Sequence, residues 1–229
     1  MKKTVILSTN DNPDYINYLP YVQKAWNNLG WNTLLFYMGN QQILCDNTDN
    51  NKIIYLNKIP KYRDIIVVQT SRLLGHLYCE GLIMTSDIDM IPLCDYWKPN
   101  SDFITSYGYD LTFGKHFPMC YIAASHDNWK CLIPENSIEE LLDSEQSAKS
   151  EEFYDWWFTD QNIITKRIKK NFKKLVIINR GFDGEFALGR IDRANWKMTK
   201  ASFSKKIDAH MPRPFSEFEA KYLLEKYFK

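Results

Sequence analysis

An α/β fold with a mostly parallel central sheet flanked by helices is what this chain of 229 residues predicts, on three observations. Short apolar, β-branched runs alternate with segments whose apolar residues recur at helical spacing, the pattern of strands joined by crossover helices. Turn formers punctuate the alternation, notably Asn10-Asp11-Asn12-Pro13 and Gly30. Polar and acidic residues gather where the predicted strands end, the edge at which such sheets bind ligands.

The elements follow in order. Residues 4–9 form an apolar strand that runs into the Asn10–Pro13 turn. Leu19, Val22, Ala25, Trp26 and Leu29 give 16–29 the period of a helix, which Gly30 stops. Strands are expected at 33–38 and 53–56, a helix at 62–78 along Ile66, Gln69, Leu73 and Leu77, and a fourth strand at 82–86. The second half is less regular. Strands are expected at 103–107 and 119–124, and a helix at 137–147 that Ser137 caps, with Glu140 completing a capping box. A helix over 158–172, a strand over 174–180 and an amphipathic terminal helix after a Pro-flanked stretch complete the chain.

Composition narrows the function classes. Hydrophobic content of 45% and charged content of 25% suit a soluble globular domain. Lys and Arg outnumber Asp and Glu by 29 to 28, so no global field recruits nucleic acid or an anionic membrane, and an anionic ligand needs a local device. No apolar run is long enough to span a bilayer, and the apolar core after Met1-Lys2-Lys3 is too short for a signal peptide. Five cysteines (Cys45, Cys79, Cys94, Cys120, Cys131) are scattered without a CxxC pair, so reduced thiols in a cytoplasmic protein are expected. Residues 45–51 read as a polar loop.

The segment LIMTSDIDMIPL, 82–93, poses the functional question, because a strand pattern points Asp87 and Asp89 to one face, where they repel. With 17 Asp in the chain, about one D-x-D is expected by chance, so context decides. This D-x-D is the single one, and it ends an apolar strand at the ligand edge. Hard oxygen ligands suit Mg²⁺ or Mn²⁺, which bridge carboxylates to a diphosphate. A pair of turn or cap acids is the plain alternative.

Here the chain resembles the nucleotide-sugar-dependent glycosyltransferases of the GT-A fold, a Rossmann-like architecture. MTSDIDMIPL looks like their metal-binding D-x-D, and FTDQNIIT like the D-Q that opens a helix in retaining enzymes of the glycogenin and lipopolysaccharide galactosyltransferase type. HMPRPF resembles, in shortened form, their C-terminal histidine followed by a basic residue and proline. The chain is also similar to small glycosyltransferases of large algal viruses. The resemblance implies one domain, with a nucleotide-sugar-binding half at about 1–110 and an acceptor-binding half with a closing tail at about 111–229.

The resemblance also implies roles. Asp89 is the direct metal ligand, Asp87 reaches the ribose or a metal-bound water, and His210 is a third protein ligand to Mn²⁺ or Mg²⁺. Thr9, Asn10 and Asp11 hold uracil and ribose; Arg72, Ser86 and Arg213 contact the nucleotide or diphosphate. Asp160 meets the donor sugar and Gln161 lies near the anomeric carbon, while Asp160 or Thr159 also serves as a helix cap. His126, Asp127 and Trp157 are sugar or acceptor contacts, although core packing is the commoner fate of Trp. Residues 204–215 are expected to close over the diphosphate. The implied activity is transfer from a UDP-sugar to a glycan or glycoprotein acceptor with retention. The enzyme alternative is an inverting transferase with Asp160 as general base, and the non-enzyme one a glycan-binding protein. Departures remain: CYIAASHDNW stands where the family has an Asn-Ala-Gly strand, and the tail motif has Arg213 for lysine and lacks its glycine. A nucleotidyltransferase would need a Gly-rich basic loop after the first strand, and STNDNPDY has neither Gly nor Lys nor Arg.

Overall fold

The computed structural model describes residues 1–40, 42–43, 50–108, 116–170, 172–178, 180, 188–202 and 205–228. Cys45, the loop up to 49, the boundary near 110 and residue 204 of the tail lie outside the described residues. So do 171 and 179, within the expected helix and strand.

The first half alternates as expected. Strand β1 (Lys3–Asn10) leads through a short helix α1 (Pro13–Ile16) and α2 (Leu19–Asn28) to β2 (Asn32–Met38) and β3 (Asn51–Tyr55). The expected helix 16–29 is divided because Pro20 stands in the first turn of α2. A proline ring there would clash with the carbonyl one turn back, so the helix restarts. Helix α3 (Asp64–Ser71) then tightens into a 3₁₀ stretch (Arg72–Leu77) in place of the single helix 62–78. Gly75 lies in that stretch against Ile6, and a Cβ on it would come within 2.6 Å of the Ile6 side chain.

Strand β4 (Leu82–Thr85) leads to the D-x-D, after which come β5 (Met90–Pro92), β6 (Ile104–Ser106), β7 (Ile122–Ser125) and α4 (His126–Leu132). Helix α5 (Ile138–Asp143) is capped by Ser137, which accepts from the Glu140 N–H at 3.1 Å; the Glu140 carboxylate reaches back to the Asn136 N–H at 3.0 Å. Helices α6 (Phe153–Trp157) and α7 (Thr159–Lys170) precede β8 (Leu175–Ile177) and β9 (Arg190–Ile191). Helix α8 (Trp196–Ala201), β10 (Asp208–His210) and α9 (Glu217–Tyr227) end the chain.

Among the described residues, seven strands form the main sheet in the order β3-β2-β1-β4-β7-β6-β8, and β7 alone runs against the rest. A second sheet, β5-β10-β9, carries the tail strand β10 between its neighbours. The largest core cluster joins Val5, Leu7, Trp26 and Met84 to Ile191, Ala209, Met211 and Leu223, so the tail is packed into the body. The Tyr18 hydroxyl donates to the Pro212 carbonyl at 2.6 Å, and the Phe215 N–H donates to Asp14 at 3.2 Å. In the tail expected to close over the diphosphate, strand pairing and these contacts supply the backbone partners that proline removes. No helix among the described residues is long and apolar enough to cross a membrane. Among the described residues, Cys79, Cys94, Cys120 and Cys131 form no disulfide.

Gly81 opens β4 with φ +83°, and a Cβ there would stand 2.3 Å from the Lys2 carbonyl oxygen, a backbone atom. A side chain in this left-handed conformation costs about 1–2 kcal/mol before the clash is counted. Gly81→Ala is therefore expected to lower stability by at least that much in urea unfolding. An unchanged midpoint would show that the β1–β4 start can open at no cost.

Candidate active site

Where β1 and β4 leave the sheet at their carboxyl ends, a cleft of about 410 Å³ opens. Thr9 and Asn10 end β1, Asn12 and Tyr15 follow, Arg72 rises from the 3₁₀ stretch, and Asp87 and Asp89 follow β4. Trp157, Asp160 and Gln161 close one wall, and Arg193, His210 and Arg213 the other.

Arg72 organises the first wall. Its Nε and Nη2 donate to Asp160 Oδ2 at 3.2 and 2.6 Å, and Nη1 donates to Asp87 Oδ1. Nη1 also reaches the Ser86 carbonyl at 3.5 Å. Burial opposes the charge on Arg72, yet Asp160 and Asp87 outweigh it and raise its pKa above the ordinary value. Asp160 is buried at the start of α7 and also accepts from the Gln161 N–H at 2.7 Å. Burial lifts the Asp160 carboxyl above the usual range, with Arg72 pulling against it.

The second wall converges on one carboxylate oxygen. Asp89 Oδ2 accepts from Arg193 Nη1 and from Arg213 Nη2, each at 2.9 Å. His210 Nε2 stands 3.6 Å from the same oxygen, an ion-pair distance but too long for a hydrogen bond. Burial pushes the Asp89 carboxyl up, but His210, Arg193 and Arg213 overcome it and hold it far below the usual range. His210 Nδ1 lies 3.1 Å from Asp192 Oδ2, and the other Asp192 oxygen accepts the Ala194 N–H at 2.9 Å. Burial disfavours a proton on His210, and the Asp192 and Asp89 carboxylates more than offset this, raising its pKa. The Arg213 guanidinium lies 4.1 Å over the Tyr15 ring.

The structure thus brings together Thr9, Asn10, Arg72, Asp87, Asp89, Trp157, Asp160, Gln161, His210 and Arg213 from the expected set. Four other expected residues do not line the cleft. His126 and Asp127 start α4 at the opposite edge of the sheet, because β7 is antiparallel to β4: Ser125 pairs with Leu82, and the His126 N–H donates to the Gly81 carbonyl. Asp11 does not line the cleft; its carboxylate is turned back to accept from the Tyr37 hydroxyl and, at 2.8 Å, from the Asn40 N–H. Ser86 buries its side chain and offers only its carbonyl to Arg72.

Sequence reasoning missed Asn12, Tyr15, Asp192 and Arg193. The one signal for the last two was an acid and a base side by side in GRIDRANW, a stretch with no period. Among the described residues, no three His, Cys, Asp or Glu side chains are drawn together as a closed metal centre. The donor set of Asp87, Asp89 and His210 nevertheless shares one cleft and fits a hard divalent cation in kind.

No protein-family model matches the chain, and no curated protein matches it by sequence. Solved structures do match its fold. Galactosyltransferase LgtC, in complex with donor and acceptor sugar analogs, is similar at a TM-score of 0.57 and 11% identity, over 99% of this chain and 96% of that one. An active-site mutant of LgtC is similar at 0.53 and 12%, over 97% and 94%. Glycosyltransferase GlyE of Streptococcus pneumoniae TIGR4 is similar at 0.57 and 12%, over 100% of this chain and 61% of GlyE. At such identities the likeness speaks for architecture, and with the mostly parallel sheet and its helices it establishes that the chain has the GT-A-like glycosyltransferase fold.

Proposed function

We propose that the protein is a metal-dependent glycosyltransferase that moves a sugar from a nucleoside diphosphate sugar, in the first place a UDP-sugar, to a hydroxyl of a glycan or glycoprotein acceptor with retention of configuration. One observation carries the reading: Asp87, Asp89, Asp160 and His210 meet Arg72, Arg193 and Arg213 in one cleft beyond the parallel strands. Charged groups of both signs in one concavity are what a diphosphate and its counter-cation require.

Asp87, Asp89 and His210 would hold Mn²⁺ or Mg²⁺. That cation supplies positive charge where the leaving diphosphate gathers negative charge. Thr9 and Asn10, with Asn12 in place of Asp11, are suited to ribose and base, and Arg213 to the diphosphate as a charged fork. Trp157 offers a ring face for a sugar. Both Asp160 oxygens already accept a hydrogen bond, one from Arg72 and one from the Gln161 N–H. A carboxylate has about four lone-pair sites, so Asp160 retains room to accept from donor-sugar hydroxyls. A general base must be reached by the acceptor hydroxyl. Burial and the Arg72 pairing of Asp160 favour orientation of the donor over that role.

The test is transfer or donor hydrolysis with a panel of UDP- and GDP-sugars in Mn²⁺ or EDTA, with NMR of the product's anomeric proton. Activity with a UDP-sugar, loss in EDTA and a retained linkage are expected. Asp89→Ala should weaken UDP binding in Mn²⁺ at least tenfold, and Asp87→Ala less. Full activity in EDTA removes the metal from the reading. An inverted linkage returns Asp160 as base, and glycan binding with no turnover of any donor makes the chain a glycan-binding protein.

A further inference from the structure

Arg193 has a part that the resemblance did not bring and that no expected motif contains. Its position is built: Asp192, one residue before it, accepts the Ala194 N–H at 2.9 Å and holds His210 at 3.1 Å, so the 192–194 turn is fixed against β10. The parallel pairing of Arg190 with Asp208 and of Ile191 with Ala209 sets that register. From this turn Arg193 leans into the cleft and meets Asp89.

Two guanidinium groups share one Asp89 oxygen, which is more than a single carboxylate can neutralise. The Asp89 side chain is 3% exposed, while those of Arg193 and Arg213 are 30% and 35% exposed. The acid is sealed and both bases face the cleft. Arg213 has a second hold on the Tyr15 ring. Arg193 meets only Asp89 among the contacts described above, and it is the arginine with less to lose on turning. Within the cleft Asp87, Asp89 and Asp160 balance Arg72, Arg193 and Arg213, and Arg72 is committed to Asp87 and Asp160. A nucleoside diphosphate brings further negative charge into this balanced set.

We infer that Arg193 is a diphosphate-binding residue that exchanges the Asp89 carboxylate for a donor phosphate when the nucleotide enters. The inference rests on the proposed function. Asp89 keeps His210 beside it during the exchange. The partner class is the distal phosphate of a nucleoside diphosphate, since a guanidinium fork matches phosphate oxygens two at a time.

The experiment is calorimetric titration of wild type, Arg193→Ala and Arg193→Lys with UDP and with UMP, each in Mn²⁺, alongside thermal unfolding. Arg193→Ala is expected to bind UDP ten- to a hundredfold more weakly and UMP less than threefold more weakly, with Arg193→Lys recovering part of the loss and all three proteins unfolding at similar temperatures. Equal weakening toward UDP and UMP overturns the inference, as does an Arg193→Ala protein that binds UDP like wild type; both leave the proposed function standing. Failure of the folded wild type to bind UDP overturns the proposed function, and this inference with it.

Discussion

An Arg72→Ala protein is expected to lose about 3–5 kcal/mol of folding stability, because the change strands a buried carboxylate. Arg72 and Asp160 are both buried, and two guanidinium nitrogens meet a single Asp160 oxygen. Asp160→Ala should cost less, since Arg72 keeps Asp87 and the Ser86 carbonyl. Removal of both should cost clearly less than the sum, with a coupling of about 2–3 kcal/mol in a double-mutant cycle of urea unfolding. Additivity within about 0.5 kcal/mol would mean that the pair is held by its surroundings and not by each other.

The pH dependence of this loss has a definite sign. Burial already raises the folded-state pKa of Asp160 above its unfolded value, with Arg72 opposing. Without Arg72 the rise is larger, so in the variant the folded state binds a proton that the unfolded state has released. Stability then falls as pH rises through that window. The gap between Arg72→Ala and wild type should narrow from pH 8 to pH 5 and widen on return. A pH-independent gap would mean that Asp160 stays ionised without its partner.

Why some of this site was legible from the chain and some was not follows from how each residue reaches it. Asp87 and Asp89 stand at the end of an apolar strand, and Asp160-Gln161 at the start of a helix, so local pattern places them. Arg72 begins the 3₁₀ stretch that leads into β4 and was within reach for the same reason. The place of His126 and Asp127 at the far edge was not legible, because a four-residue strand such as β7 carries no mark of its direction. The turn of the Asp11 carboxylate was not legible, because its partners lie across on β2 and beyond it, at Tyr37 and Asn40. Arg193 and Asp192 follow a strand of two residues, too short for any period, whose pairing with β10 is set by distant packing.

Asp208→Ala is expected to be the most damaging single change in the chain. Asp208 is fully buried on β10, and its two oxygens accept from Arg180 at 2.9 and 2.9 Å and from Arg190 at 3.3 and 3.0 Å. Burial alone would raise its carboxyl, but Arg190 and Arg180 overcome this and hold it far below the usual range. Arg180 lies over the Tyr96 and Trp97 rings at 5.7 and 5.4 Å and is itself buried, so it has no easy route to water. Without the carboxylate, two buried guanidinium groups lose the anion they share. Loss of one partner from a buried pair costs about 3–5 kcal/mol, and here one carboxylate serves two cations. That is comparable with the whole stability of a small domain, about 5–15 kcal/mol. The Asp208→Ala protein should therefore be largely unfolded or insoluble near 37 °C, and Asp208→Asn, which keeps the shape without the charge, should also be strongly destabilised. Replacing all three residues together by Met and Leu should restore folding, since an apolar cluster of similar volume avoids the desolvation cost. Asp208 stands two residues before His210 and in register with Arg190, three residues before Arg193, so the triad also fixes both strands of the second wall of the cleft. The folded triple variant should thus recover stability before it recovers UDP binding. An Asp208→Ala protein that unfolds within about 1 kcal/mol of wild type in urea would show that the arginines find other acceptors, and the triad would lose its place as the anchor of the site.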